Sequence, residues 1–381
     1  MKIFYYLVVL IGCFSFLVAN ELDIRIPVVD MSDYYNEGKR EEFLNQLYHA
    51  MKDVGFFAVR NTRINRQVIQ NAYQQAELFF KKDMYEKKCY FDATLNGQRG
   101  FVPGEVAKGN SLKDFKEFYH IGRQTMLPKN VWPQDPAFVS AFTTLFDELE
   151  QYVVPLQESI IAAINLNTKQ KLDINLLNSM TKNGDSLLRA LYYPALSKEQ
   201  LEKKKRPLYW AAPHTDIDLL AILPYATAKG LQVQIGGKWL NVVVPEDTVV
   251  VNVGDMLSNL TNGLFVSVCH RVLAQSPDQD RFSMVLFVHP TDDASLAPLK
   301  PCIELTGGIQ KCAPGTRKEF LWERLLELNI APALLEPYSK TGHVERQAEY
   351  GRESPQVVKM LIENNLASSE LMEKLKRRKT S

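Results

Sequence analysis

The hydrophobic period of this chain changes near Leu187, and that change limits the folds open to it more than any other feature. Between Asp135 and about Met180, Phe138, Phe142, Leu145, Phe146, Leu149, Val153 and Leu156 recur at three-to-four spacing. That spacing predicts one long helix with an apolar stripe, followed by a shorter helix over Asp173 to Met180. From Leu187 onward the period is two. Gly236-Gly237 separates Leu231–Ile235 from Lys238–Val242 as a two-residue hairpin turn. Thr248–Val253 reads as a further strand closed by Gly254-Asp255, and Asn262-Gly263 marks a turn before the alternating segment Val266–Val272. Many short antiparallel strands at this spacing favour a sandwich or jelly roll. The expected fold class is α+β, mainly β, with a jelly-roll core over residues 187–295 and flanking helices.

The flanks can be divided in the same way. From Ile26 to Leu127 a strand, an amphipathic helix carrying Phe43, Leu47, Tyr48 and Met51, and a second strand precede a helix near Arg66 to Lys82. Residues 135–180 supply the helical backing. Residues 296–381 form a C-terminal extension whose helical stretch, Ser354 to Lys379, is expected to cover a pocket, pack on the sheet or pair subunits. At 381 residues, 46% of them hydrophobic and with a net charge of +1, the chain can bury a large core. It has no electrostatic basis for binding nucleic acid. The basic runs at 203–206 and 374–379 read as a solvated loop and a helix end.

Within the period-two region stand the residues that carry chemistry. In His214-Thr215-Asp216 two ligand-capable side chains lie at i and i+2, which on an extended strand project to one face. His270 follows some fifty-odd residues later, in register with Val268 and Val272. Two imidazoles and one carboxylate make a facial triad that holds Fe(II) and leaves positions open for a chelating co-substrate and O₂, although the same set also suits catalytic zinc. Arg281 and Ser283 share one face of Arg281–Val288, with Phe282, Met284, Leu286 and Val288 on the other. A guanidinium fork beside a hydroxyl is suited to gripping a carboxylate.

The order His-x-Asp, fifty-odd residues, His, about ten residues, Arg-x-Ser resembles the 2-oxoglutarate and Fe(II)-dependent dioxygenases of the isopenicillin N synthase-like branch. Ile26–Ser32, Asp53–Val59, Gly100-Phe101, Asp114–Glu117 and Asn130–Pro133 are similar to that family's successive upstream blocks, so the resemblance covers roughly residues 26 to 335. Leu191-Tyr192-Tyr193-Pro194 resembles its Asn-x-Tyr-Pro, with Leu191 in place of the asparagine. The resemblance implies a distorted double-stranded β-helix. It also implies Fe(II) on His214, Asp216 and His270, and 2-oxoglutarate held by Arg281, Ser283 and Tyr193. O₂ would be the second co-substrate, with ascorbate as a possible auxiliary reductant, and the products would be succinate, CO₂ and an oxidised small organic molecule. Two alternatives stay open: an oxidase of the same scaffold that takes its electrons from its substrate without 2-oxoglutarate, and a non-catalytic jelly-roll binding protein. Phe101 and Phe287 are candidate substrate contacts.

Other residues read as structural. His49 and His120 lack partners in the sequence pattern, and His289, although on the Arg281 face, lies toward the far end of its strand. Ile3 to Ala19 carries no charge and reads as a signal peptide or signal anchor in residues 1–20, which leaves export or membrane tethering as the expectation, or a cytoplasmic location if the start is overextended. Any membrane contact would run through that segment alone. Cys302 and Cys312 could bridge a loop in an oxidising compartment, Cys269 is expected to be buried, and Asn259-Leu260-Thr261 is a chance sequon.

Overall fold

The computed structural model describes residues 22–104, 114–202, 208–245, 247–274 and 277–379. The apolar segment at 3–19 and the basic run at 203–206 lie outside the described residues. Among the described residues the strands are β1 (Leu22–Arg25), β2 (Val28–Asp30), β3 (Phe56–Arg60), β4 (Gly100–Val102), β5 (Glu117–Gly122), β6 (Leu187–Tyr193) and β7 (Tyr209–His214). They continue with β8 (Leu220–Leu223), β9 (Leu231–Ile235), β10 (Lys238–Val243), β11 (Val249–Val253), β12 (His270–Leu273) and β13 (Arg281–Val288). Two mixed sheets result, ordered β1-β10-β9-β12-β7 and β2-β3-β11-β8-β13-β6-β5-β4. They face each other as a jelly roll.

Local chemistry explains the elements that match expectation. Gly236 and Gly237 both have positive φ, 57° and 76°, as the tight turn between β9 and β10 requires, and the strands pair Lys238 with Ile235. The long helix runs Pro136–Leu166. Asp135 caps it by accepting from the Ala137 and Phe138 amides, and Pro136 occupies a first-turn position where no amide donor is needed. A helix at Arg66–Phe80 is capped in the same way by Asn65, and the Arg40–His49 helix passes into a π-helical turn, Ala50–Val54.

Side-chain alternation divides the core. On β3, Phe57 and Val59 face the helices with Phe142, Leu145 and Leu149, whereas Phe56 and Ala58 face the smaller sheet. On β6 and β13, Leu191, Tyr193 and Val285 point between the sheets, where they meet Phe118, Trp210 and Val272. Burying each such side chain contributes about 1.5–3 kcal/mol. β11 lies between β3 and β8, is buried along its whole length, and accordingly shows no polar alternation.

Several elements differ from expectation. β7 ends at His214, so Asp216 sits in the loop leading to β8 rather than on a strand with it. Strand β12, His270–Leu273, begins only at the fifth residue of the Val266–Val272 segment, and a short helix, Asp255–Leu260, precedes it. β4 and β5 carry no clear period-two signal because both of their faces are covered. The C-terminal extension is a helical unit with its own apolar cluster, which includes Leu326, Leu335, Tyr338, Val344, Val357 and Leu361. Its last helices, Pro355–Glu363 and Ser369–Lys379, pack into that unit, and the cavity described below is bordered instead by Arg317–Glu327. Cys302 and Cys312 are both buried free thiols, so no bridge joins them, and Cys269 is half-buried. Asn259 is buried and its side-chain amide donates to the Leu296 and Ala313 carbonyls, which closes the sequon to modification in the folded chain. No described helix is long and apolar enough to cross a membrane.

Candidate metal and co-substrate site

His214 at the end of β7 and His270 at the start of β12 are direct cross-strand partners. Their rings lie 4.3 Å apart, centre to centre. Asp216 completes the group, with one carboxylate oxygen 3.8 Å from His214 Nε2 and the other 3.6 Å from His270 Nε2. One ligand atom from each of the three lies within 4.8 Å of the others. A single ion about 2.0–2.2 Å from each donor can bridge such a set.

The surroundings prepare all three as ligands. His214 Nδ1 lies 2.7 Å from the Ala212 carbonyl and His270 Nδ1 lies 3.3 Å from that of Val268. A carbonyl only accepts, so each Nδ1 carries the proton and each Nε2 lone pair is turned toward Asp216. Burial, aided by the adjacent His270, pushes the His214 pKa down to about 3, so this imidazole is neutral at physiological pH. Burial alone would raise the Asp216 pKa, but His270, His214 and the hydrogen bond from Asn252 outweigh it and hold the carboxyl below its ordinary range. Asn252 Nδ2 donates to Asp216 Oδ2 at 2.9 Å. Sequence reading missed Asn252: on a uniformly buried strand, one asparagine among valines is the only available signal.

Arg281, Ser283 and Tyr193 form a second group on β13 and β6, where Arg281 and Tyr193 are register partners. All three are nearly inaccessible to solvent. Arg281 Nη1 donates to Ser283 Oγ at 3.1 Å, its Nε donates to the Ala228 carbonyl at 3.1 Å, and its guanidinium lies 4.9 Å from the Tyr193 ring centre. Among the described residues no carboxylate pairs with Arg281. Burying a guanidinium without an anion costs several kcal/mol, so the chemistry of this end of the inter-sheet space fits an anionic ligand.

A cavity of about 460 Å³ opens beside the triad. Its wall contains Phe118, Phe287, Leu321 and Leu325, together with Lys116 and Arg189. It reaches Phe287 and His289 but not Arg281 or Ser283, which lie further along β13 beneath the inter-sheet cluster. Phe101, expected as a substrate contact, is wholly buried on the opposite face and packs on Phe79 with ring centres 5.9 Å apart. Strand alternation gives the wall position to Val102 instead. His120, expected to be unpartnered, is buried at the wall: its Nδ1 lies 2.6 Å from the Gly97 carbonyl, and its Nε2 accepts from Arg189 Nε at 2.6 Å. Their pairing depends on the β5–β6 register, which places His120 opposite Arg189 and cannot be read from local sequence. His289 is buried, with Nδ1 3.2 Å from the Asp185 carbonyl, and also borders the cavity. His49 is exposed and lies 3.1 Å from Asp53.

A jelly roll with two histidines and an aspartate gathered beside its smaller sheet is a fold and donor set suited to a non-haem metal ion. Comparison with known proteins specifies the class. Residues 26–135 match the family model described as non-haem dioxygenase in morphine synthesis N-terminal, and residues 184–290 match that of the 2OG-Fe(II) oxygenase superfamily. The chain belongs to this superfamily and is a 2-oxoglutarate and Fe(II)-dependent dioxygenase. It is 27% identical over 306 residues to Protein DMR6-LIKE OXYGENASE 2 of Arabidopsis thaliana, covering 79% of this chain and 82% of that protein. It is 28% identical over 298 residues to a probable iron/ascorbate oxidoreductase of Dictyostelium discoideum, covering 70% and 81%. A putative 2OG-Fe(II) oxygenase family protein from Caulobacter crescentus superposes with a TM-score of 0.67 at 29% identity, over 80% of this chain and 99% of that one. A full-length Neurospora crassa protein solved in complex with alpha-KG shares the fold, with a TM-score of 0.70 at 24% identity over 79% and 95%.

Proposed function

We propose that His214, Asp216 and His270 hold the Fe(II), that Arg281 with Ser283 and Tyr193 holds the distal carboxylate of 2-oxoglutarate, and that the adjoining cavity receives the molecule to be oxidised. The observation that carries this reading is the pairing of a three-donor cluster with a buried guanidinium that has no protein anion among the described residues. When bound, the metal and its co-substrate supply an oxidant strong enough for an unactivated C–H bond.

The chain's own residues place and shield. Asp216 stays ionised and His214 neutral, so neither of these two donors needs to lose a proton at physiological pH before binding a cation. The Arg281 fork, its Nη1 already directed to Ser283 Oγ, orients a carboxylate toward the triad end of the sheets. Leu191, Val285, Ala221 and Trp210 keep the space between the sheets dry, which strengthens each charge contact made there. The wall at Phe287 and Phe118 is apolar, and Arg189, 4.5 Å and 5.0 Å from the Phe118 and Phe287 ring centres, gives it one cationic side. A flat or largely apolar small molecule with a polar or anionic group suits such a wall. The relatives' names, among them gibberellin 2-beta-dioxygenase and leucoanthocyanidin dioxygenase, agree with oxidation of a small molecule.

The decisive experiment is an assay of succinate and CO₂ from 2-oxoglutarate by the anaerobically reconstituted protein, first alone and then against a panel of small molecules. Stimulated succinate formation is expected, and its loss in His214→Ala. Substrate-driven oxygen uptake without succinate would instead indicate an oxidase, and no uptake at all a binding protein. We also read residues 3–19 as a signal peptide or anchor. Fractionation with N-terminal sequencing should find the protein processed or membrane-bound, and full-length protein in the soluble cytosolic fraction would overturn that reading.

A further inference from the structure

We infer that the C-terminal helix Arg317–Glu327 is a working part of the metal centre, and that Arg324 is the positioning residue through which it acts. The inference rests on the triad reading above and adds a residue that lies outside both matched family segments, the later of which ends at residue 290.

Asp216 is on a loop, so something other than strand pairing must hold it. Two layers do so. The first is the start of the Asp255–Leu260 helix, where the Asp255 amide donates to the Asp216 carbonyl at 2.8 Å and the Met256 amide to that of Asp218 at 3.1 Å. The approach is close enough that a Cβ on Gly254 would lie 2.2 Å from the Asp218 carbonyl oxygen. The second layer is Arg324. Its Nη1 donates to the Thr215 carbonyl at 2.9 Å, between the two ligands His214 and Asp216. Its Nη2 donates at 2.9 Å to Asp255 Oδ2, the same oxygen that accepts from Thr215 Oγ1 at 2.9 Å. Nε lies 3.1 Å from Glu327 on its own helix. One guanidinium thus ties the ligand loop, the helix behind it and the extension into a single unit.

The helix is itself fixed in place. Thr316 and Glu319 form a reciprocal capping box at its start, Arg317 pairs with Asp292, and Ser295 bridges Thr316 just beyond β13. Leu321 and Leu325 of the same helix face the cavity. The planar fork matters because two acceptors on different segments must be met at once, which a point-like ammonium does less well.

The test uses the full chain and Mn(II) as a redox-silent probe, with the dissociation constant read by titration and by the metal-induced rise in unfolding temperature. Arg324→Met should weaken Mn(II) binding by about tenfold or more, the scale at which groups behind metal ligands act. Arg324→Lys should recover part of the loss, and Asp255→Asn combined with Arg324→Met should cost less than the two single losses together. If Arg324→Met does not fold, Thr215→Val removes one bond of the same network and should still weaken Mn(II) several-fold. Wild-type affinity in the folded variants, with only the unfolding temperature of the metal-free protein lowered, would reduce Arg324 to a structural role and overturn the inference. A parent chain that binds no Mn(II) would overturn the triad reading itself.

Discussion

At the scale of single residues, the site separates two tasks that its chemistry needs kept apart. In the proposed reading the triad takes the cation, and Arg281, a register partner of Tyr193, takes an anion further along the same inter-sheet space. Arg281→Ala should therefore raise the KM for 2-oxoglutarate by ten- to a hundredfold, since a charge-assisted bidentate contact contributes about 1.5–3 kcal/mol, while Mn(II) affinity stays within a few-fold. Equal loss of both would show that the two groups are not independent. All eight site candidates were legible as residue types, and seven of them lie between the sheets or at their open end. Phe101 does not, because β4 is only three residues long and its phase is set by pairing with β5 rather than by its own pattern.

At the scale of elements, one tight constraint is the passage from the π-helical turn into β3. Gly55 has φ of 73° and closes that turn, and a Cβ there would lie 2.1 Å from the Val266 carbonyl oxygen. Its carbonyl also accepts from the Val253 amide at 3.0 Å, so the position cannot drift. Gly55→Ala combines a left-handed conformation with a backbone clash and should cost at least about 2 kcal/mol of stability. Urea unfolding with an unchanged slope and a lowered midpoint would register it; an unchanged midpoint would mean that the Val266–Cys269 segment yields easily. Helix spans were readable because their caps and apolar stripes are local. The Asp255–Leu260 helix was not, since its six residues are too few to display a period.

For the whole molecule, two buried imidazoles supply a loss of stability on acidification, opposed in part by Asp218, whose carboxyl burial holds well above its ordinary range and whose contribution runs the other way. Burial with His270 lowers His214 to about 3, and burial with Arg317 lowers His289 to about 3, from an ordinary 6.5. Below 6.5 the unfolded chain takes up these protons and the folded chain does not, so the unfolded state binds more protons and stability falls as pH falls through the window from about 6.5 to 3. For His289, which is 4% exposed, the slope is about 1.4 kcal/mol per pH unit. Denaturant midpoints of the metal-free protein should drop between pH 7 and pH 5, and His289→Gln should flatten part of that drop. A flat profile in the parent chain would contradict the burial of these groups.

Sequence alone picked out the three clustered donor residues and the buried arginine proposed as ligands and anchor, and determined the helix-then-strand order and the hairpin, because each depends on residue chemistry or on a period that one segment carries by itself. Tertiary structure alone decided that Asp216 is held from a loop, that His120 meets Arg189, that Asn252 donates to the Asp216 carboxylate, and that the extension reaches the 214–216 loop through Arg324. Those contacts join residues distant in the chain, and only sheet register and helix docking bring them within hydrogen-bonding distance.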